Sequence, residues 1–448
     1  MLTGTARDIA ALRNTVDATP SFSSTQAVKL WNQLREHRKN GTTELTFGTT
    51  DPTVVSQMAK TQQTVHADYL WDTVPKVVSK IVKSQLWHDQ RQRQFRLRHP
   101  KETRNELENW DYLAPIVADG DMGFGSLTST IKMAKEFVDA GAAMIHIDDL
   151  AIGMKKFTVG QGRTIVPFSE YIDRLRTVQF ITSAIHERDH EYVVGATVAI
   201  EPLKNYLYKA QAQGKDLMSA REEWKSKACL KTYDGAVKAA ASESEFSAYM
   251  ASVRKTKFCS LFSRRQIAAD TANQDVIFDW ELPRSAMGQY MFQSCVKAIV
   301  ERAIETAPLG DMTWSRMDTQ VWDDIVEFHT EVRKVFPDRM FAFGYTGQYD
   351  YEAGGFLAEQ VKSLHKDLAR LGVCWQVQPI WSLQGLNTEA EKFSKLWAEE
   401  AIAGYIRDIQ TPALYRKPMV DGFEKLEWCG GYLADAFFET VAGQPITK

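Results

Sequence analysis

The sequence predicts an α/β fold, an (α/β)8 barrel of the TIM type with extra N- and C-terminal helices and a helical insertion. From Asp111 onward, short apolar runs typical of buried strands alternate with amphipathic segments typical of helices. This alternation favours a parallel sheet closed into a barrel. Two of the apolar runs end in aspartates, and such barrels carry their functional residues at the carboxyl ends of neighbouring strands.

Eight apolar runs are candidate strands, and a helix is expected after most of them. The expected strands are 45–48, 115–119, 143–148, 192–197, 275–279, 311–314, 339–344 and 373–378. The expected helices in this part are 128–140, 169–189, 264–273, 285–306, 320–335, 354–370 and 388–405. Residues 52–100 are charge-rich and expected to be helical.

The domain organisation follows from this pattern. Residues 203–260 are rich in Lys, Glu, Ala and Ser, and we expect helices and no strand there. The expected segments are N-terminal helices 1–44, a barrel formed by 45–202 and 261–405, a helical insertion 203–260 and a C-terminal helical segment 406–448.

Composition limits the classes of partner. The net charge of −3 gives no reason to expect nucleic acid or a membrane surface as a partner. No apolar run reaches the ~18 residues that a membrane span needs. The five cysteines are scattered without metal-ligand spacing, which is typical of reduced thiols in the cytosol. We therefore expect a cytoplasmic protein.

A glycine-rich acidic turn is the most informative local feature. Asp119 and Asp121 follow the strand at 115–119, and Asp148 and Asp149 follow the next one. Carboxylates without soft ligands nearby suit Mg²⁺ or Mn²⁺. The alternative is strand-end capping, or favourable charge at a helix N-terminus.

Two segments around the acidic turns carry a wider resemblance: the run DYLAPIVADGDMGFG, which begins at Asp111, and the run Ile145–Leu150. They are similar to the patterns DYLxPIxADADTGxGG and IHIEDQ of the isocitrate lyase family. The other matching segments, with the family pattern in parentheses, are 153–159 (GTKKCGH), 166–170 (VPISEH) and 278–284 (WDAExxR). The resemblance covers about residues 20–440 and extends to the eukaryotic branch, which carries a similar insertion.

The resemblance implies a barrel enzyme that breaks or forms a C–C bond beside a carboxylate of a small-molecule substrate. It also implies a homo-oligomer, a dimer or more usually a tetramer. In such enzymes Mg²⁺ at the strand ends holds a 2-oxo acid and stabilises the enolate partner. The positions that match the family's metal-linked acids are Asp119, Asp121 and Asp148. Asp148 replaces a Glu and is one methylene shorter.

The departures from the family pattern concern catalysis. Phe157 and Val159 replace the family's Cys and His, and the Cys is the group that transfers a proton. Thr197 aligns with the Arg that clamps a substrate carboxylate, and the loop SGWQ, expected near residues 65–69, is missing. Because general acid–base catalysis contributes roughly 10² to 10⁴ in rate, we predict negligible isocitrate lyase activity. The same changes argue against 2-methylisocitrate lyase activity.

Some polar groups of the family pattern remain near the expected site, and other polar and aromatic groups are new there. The catalytic candidates are Lys155, Lys156 and Tyr345. The substrate-binding candidates are Arg284, Arg316, Thr346, Gln348 and Trp381. Tryptophans near strand ends, Trp314 and Trp375 among them, fit either barrel packing or an aromatic-walled pocket. His146, embedded in a strand, is more typical of a core residue than of a base.

Three hypotheses remain open. The first is a metal-dependent lyase that makes or breaks a C–C bond on a small carboxylate or related metabolite other than isocitrate. The second is a catalytically inactive paralogue that acts as an oligomeric or regulatory subunit. The third is a metal-free repurposed enzyme of specialised metabolism, with Lys155 or Lys156 as acid or nucleophile.

Overall fold

A computed structural model describes most of the chain and confirms the α/β fold class. The described residues are 22–49, 51–59, 65–67, 73–107, 109–152, 164–178, 191–256, 259–272, 276–286, 288–315, 320–345, 349–412, 437–438 and 440–442. No helix among them is long and apolar enough to cross a membrane.

Helices and strands alternate along most of the described chain. The strands are β1 Glu44–Gly48, β2 Val65–Ala67, β3 Ile116–Asp119, β4 Met144–His146, β5 Val194–Gly195, β6 Lys231–Thr232, β7 Met312–Ser315, β8 Met340–Gly344 and β9 Val373–Gln378. The helices before the insertion are α1 Phe22–Asn40, α2 Pro52–Ala59, α3 Thr73–Arg98, α4 Leu127–Ala140 and α5 Phe168–Val178. The later helices are α6 Leu203–Ala212, α7 Leu217–Ala228, α8 Tyr233–Ala240, α9 Glu243–Lys255, α10 Leu261–Ala272, α11 Val296–Thr306, α12 Trp322–Val335, α13 Ala358–Arg370 and α14 Trp381–Tyr405.

Seven strands form one parallel sheet in the order β4-β3-β2-β1-β9-β8-β7. Each strand pairs with a neighbour that runs in the same direction, so all carboxyl ends meet at one edge. Counted around a ring, this is the strand order of a barrel. β4 and β7 are the two ends of the sheet in the described part of the chain.

The sheet is strongly curled, because side chains from distant strands pack in one cluster. This inner cluster consists of Leu30, Leu34, Val117, Met340, Ala342, Cys374, Trp375 and Val377. Val117 lies on β3 and Ala342 on β8, which are four places apart in the sheet. The two α1 leucines belong to the same cluster, so α1 contributes to the packing of the barrel interior.

Alternating residues of the same strands face the helices outside. On β3, Ile116 and Ala118 pack against α3 and α4, whereas Val117 faces inward. On β8, Phe341 and Phe343 pack against α12 and α13, whereas Met340 and Ala342 face inward. This two-residue period is the normal side-chain alternation of a strand with both faces covered.

Two segments that were expected to be barrel strands pair elsewhere, so these two predictions were wrong. Within 192–197, Val194 and Gly195 pair antiparallel with β6, and Ala196 forms an antiparallel bridge with Asp279. Neither 192–197 nor the described part of 275–279 joins the large sheet. These short extended segments instead pair with each other and with β6. Of the three, only β6 lies inside 203–260, the region expected to hold only helices.

Other boundaries also differ from expectation. The helix expected at 285–306 begins at Val296, because Gly288 adopts a left-handed φ of 88° and Phe292 forms a bridge with Val193. β2 lies in the region expected to be helical throughout, and β6 interrupts the helices of 203–260. The domain boundaries given above stay a prediction.

The buried histidine of α12 predicts a loss of stability in acid. The His329 side chain is fully buried and donates from Nδ1 to the carbonyl of Ile325 at 2.7 Å. Burial lowers the pKa of His329 from 6.5 to about 4. Between these pH values the unfolded chain binds a proton that the folded chain does not, so stability falls as pH falls, by up to about 3 kcal/mol.

The variant His329→Phe should show a shallower loss of stability between pH 7 and pH 4, measured by urea unfolding at several pH values. At neutral pH it should be less stable than the wild type, because the hydrogen bond to Ile325 is lost. Parallel pH profiles for the two proteins would contradict the assignment.

Candidate metal centre

Two turns at the carboxyl ends of β3 and β4 are held together by backbone hydrogen bonds. The amide of Gly120 donates to the carbonyl of His146 at 2.8 Å, and the amide of Asp148 donates to the carbonyl of Asp121 at 2.6 Å. The Asp119 carboxylate accepts the amide of Asp121 at 2.8 Å, which tightens the first turn. The aspartates of the two turns are therefore fixed relative to each other.

These turns place Asp119, Asp121 and Asp148 in one cluster, the acidic triad. One carboxylate oxygen from each lies within 4.8 Å of the others. Asp119 and Asp121 are buried, and the side chain of Asp148 is 15% exposed. Asp121 adopts a left-handed φ of 47°, a conformation that Asp tolerates better than most residues.

His146 lies between two members of the triad. Its Nδ1 is 3.2 Å from Asp119 Oδ1, and its Nε2 is 3.1 Å from Asp148 Oδ1. Burial alone would lower the pKa of His146, but the charges of Asp148 and Asp119 outweigh it and raise the pKa to about 10. The sequence favoured a core role for this histidine, and two signals point to the site instead: it pairs with Asp119 across β3 and β4, and it stands two residues before Asp148.

The neighbouring Asp149 is held away from the triad. Arg302 of α11 donates from Nε to Asp149 at 3.1 Å and from its terminal nitrogen to the carbonyl of Val166 at 2.9 Å. The structure therefore separates the two adjacent aspartates, of which the match to the family pattern had selected Asp148.

Tyr345 faces outward, away from the barrel interior. It packs with the cluster between β8 and α12, and its hydroxyl donates to Gln376 Oε1. Gln376 in turn donates to the carbonyl of His365 on α13 at 2.8 Å. Burial raises the pKa of Tyr345. The structure thus does not bring this catalytic candidate to the triad.

The described contacts of Arg284 lie within the segment from Glu281 to Tyr290. Arg284 donates to Glu281 and to the carbonyl of Gly288, both at 2.9 Å, and its guanidinium lies 4.6 Å from the ring centre of Tyr290. Trp381 lies at the carboxyl edge of the sheet, because its ring is 4.8 Å from that of Phe47 near the carboxyl end of β1. The remaining candidates lie outside the described residues: Lys155, Lys156, Arg316, Thr346 and Gln348.

Gly120 leaves no room for a side chain between the two turns. A Cβ at this position would lie 2.9 Å from the carbonyl oxygen of His146 and 2.8 Å from Ile147 Cδ1. We expect Gly120→Ala to lower the free energy of unfolding by about 1–3 kcal/mol, the usual cost of overpacking. Gly310→Ala is the control, because its Cβ would meet nothing closer than 3.8 Å at an extended φ of −147°. Urea unfolding of both variants tests the contrast, and an equal effect would contradict it.

The donor set fits a hard divalent cation. The triad offers carboxylate oxygens from three residues, and one imidazole faces two of them. This leaves an excess of negative charge in a largely buried site, which a divalent cation would offset. Asp119, Asp121 and Asp148 are the residues that could hold it.

Comparisons with known proteins agree on one family. A model of the isocitrate lyase family matches residues 3–181 and 176–447. A protein of Schizosaccharomyces pombe named mitochondrial 2-methylisocitrate lyase is 48% identical over 95% of this chain and 89% of the relative. An isocitrate lyase of Pinus taeda is 30% identical over 98% of this chain and 85% of the relative.

Proposed function

The chain belongs to the isocitrate lyase family, and we propose that it is a divalent-metal-dependent lyase that makes or breaks a C–C bond in a small carboxylate other than isocitrate. The acidic triad is the observation that carries this proposal. A surface cluster of acids could arise without function, but burying carboxylates close together is costly unless a cation offsets their charge.

The triad would bind Mg²⁺ or Mn²⁺ through Asp119, Asp121 and Asp148, with His146 holding two of the carboxylates in place. A bound divalent ion acts as a Lewis acid that stabilises negative charge developing on a substrate oxygen. The backbone bonds between the two turns keep the carboxylates in register without the ion. Trp381, beside Phe47 at the same edge, is available to line the substrate pocket.

2-Methylisocitrate is the first substrate to test, although the loss of the family's Cys argued against it when the sequence was considered alone. The relative at 48% identity bears the name of an enzyme acting on that compound. The absence of the family's Cys and His, replaced by Phe157 and Val159, still predicts that isocitrate turnover is at background. If 2-methylisocitrate is cleaved, another group must transfer the proton, and Lys155 and Lys156 in the same segment are the candidates.

The test is an assay of the purified full chain with 2-methylisocitrate and with isocitrate, in Mg²⁺ or Mn²⁺ and in chelator. The released 2-oxo acid is measured as its phenylhydrazone. We expect metal-dependent release from 2-methylisocitrate or a related branched carboxylate, and none from isocitrate. Metal-independent release would overturn the proposed role of the triad and favour metal-free chemistry.

A catalytically inactive subunit is the second candidate function. The loss of the family's Cys and His at positions 157 and 159 favours it. In that case no small carboxylate is turned over, and the chain co-purifies with an active family member whose activity it changes. Absence of such a partner, together with turnover by the chain alone, would exclude this candidate.

The C-terminal helix α14 supports a homo-oligomer. Of its residues only Gly404 is buried, although the helix carries large apolar side chains. Five apolar residues follow the alternating spacing of three and four that forms a helix–helix seam: Leu383, Leu386, Ala390, Phe393 and Trp397. Helices gain most of their stability from packing on an apolar face, and we propose that a second copy of the chain covers this one.

Cellular location also stays a prediction. We keep the cytoplasm as the expected compartment from the scattered cysteines. The S. pombe relative is named mitochondrial, and location of the tagged full-length protein by microscopy decides between the two.

A further inference from the structure

The described sheet has a seam between β4 and β7. These strands are its two ends, and no described residue between them adds a strand at this place. Arg302 of α11, the helix before β7, binds Asp149, which follows β4, and the carbonyl of Val166. On the inside, the two strands lack a backbone ladder, so their relative position depends on side chains.

One aromatic contact crosses the seam on the inside. The imidazole of His146, on β4, lies 4.3 Å from the indole of Trp314, on β7, with a tilt of 33° between the rings. His146 is also the residue that faces both Asp119 and Asp148. The position of Trp314 therefore affects the position of the imidazole that lies between two carboxylates of the triad.

Trp314 itself is confined by its neighbours. The fully buried Trp375 packs edge-on against it with the ring centres 5.5 Å apart. Gly344 lies on another side, where a Cβ would approach Trp314 Cζ2 to 2.6 Å. Fixed aromatic contacts of this kind hold a ring in one orientation.

We propose that Trp314 is a positioning residue, whose indole holds the His146 imidazole between Asp119 and Asp148 and so sets the spacing of the acidic triad. This inference rests on the proposed metal site. It assigns to β7 a role in a centre whose ligands come only from the β3 and β4 turns. A residue that orients the groups around a metal typically affects metal affinity about 10- to 100-fold.

The first measurement is calorimetric titration of Mn²⁺ into the full chain. We expect Trp314→Leu to weaken binding by about 10- to 100-fold, and Trp314→Phe, which keeps an aromatic face, to restore most of it. Gly344→Ala should weaken binding although Trp314 is unchanged, because the new methyl displaces the indole. Trp224→Phe is the control: Trp224 is a fully buried tryptophan of α7 that packs in a separate cluster with Ala196 and Leu203, and the variant should keep wild-type affinity.

A second measurement separates this inference from the proposed function. The unfolding equilibria of Trp314→Leu, His146→Asn and the double variant are compared without metal. We expect the two substitutions to be coupled by roughly tenfold in the equilibrium constant, as for residues in contact. If the wild type binds no Mn²⁺, the proposed metal function fails and this coupling alone decides whether Trp314 positions His146.

Two results would overturn the inference. One is wild-type Mn²⁺ affinity in a folded Trp314→Leu protein. The other is simple additivity of the two substitutions in the unfolding experiment. If Trp314→Leu does not fold, Trp314→Phe and Gly344→Ala decide the question, since an unchanged affinity in Gly344→Ala would equally exclude a positioning role.

Discussion

We expect the substitution Asp121→Asn to remove Mg²⁺ and Mn²⁺ binding while leaving the fold intact. Asn is nearly the same size as Asp and tolerates the left-handed φ of 47° at this position. The backbone carbonyl of residue 121, which accepts the amide of Asp148, is retained. Only the charge of one ligand is lost, and this should weaken binding by more than about 100-fold, beyond the effect of a supporting residue.

The same substitution should raise stability when no metal is present. Three carboxylates packed within 4.8 Å of one another repel, and removing one charge relieves this repulsion. Calorimetry should therefore show lost metal binding, and thermal unfolding in chelator should show a higher midpoint. Asp139→Asn is the control, because Asp139 is exposed on α4 and pairs with Lys135. Metal binding at wild-type strength in Asp121→Asn would exclude the triad as the metal centre.

Sequence pattern was sufficient for the strands that join the large sheet through long apolar runs. β3, β4, β7, β8 and β9 each overlap an expected strand, because a run of apolar residues bounded by turns has few other stable placements in a domain of this size. The segments at 192–197 and 275–279 also contain extended residues, but they pair with each other and with β6. A local pattern predicts an extended segment and carries no information about its partner.

The direction of the strands was enough to predict which carboxylates of the site lie together. The residues after β3 and β4 had to meet at one edge, so Asp119, Asp121 and Asp148 were found together. The family pattern selected Asp148 over Asp149, but the residues alone do not distinguish them, because Asp149 is held by Arg302, which lies more than 150 residues away in the chain. No spacing rule in the sequence contains that contact.

Tyr345 shows the opposite case, in which the information was present in the sequence. Phe341, Phe343 and Tyr345 are two residues apart on β8 and its extension, and therefore share a face. Because Met340 and Ala342 face the interior, Tyr345 has to face the helices. Strand alternation, which puts Val117 and Asp119 on the inner face of β3, thus also places Tyr345 on the outer face of the sheet, away from the triad.

We expect charges introduced into the apolar face of α14 to separate the proposed oligomer into monomers. The test variant carries Leu386→Glu and Phe393→Glu, seven residues apart on the apolar face, where the side chains are 40% and 37% exposed in the single chain. Burying two carboxylates against a second copy without a partner charge costs several kcal/mol, which should weaken the association strongly. Light scattering after size-exclusion chromatography measures the mass.

The matched control carries Gln384→Glu and Thr388→Glu, two neutral positions on the opposite face of α14, so the net charge changes by the same amount. It introduces the same new side chains at exposed positions, so it should keep the wild-type mass. If both double variants dissociate, the effect is general charge repulsion and the apolar face is not the contact. If the wild type is already a monomer, no second copy covers Phe393 and Trp397, and their exposure as an aromatic pair 6.0 Å apart then requires another partner.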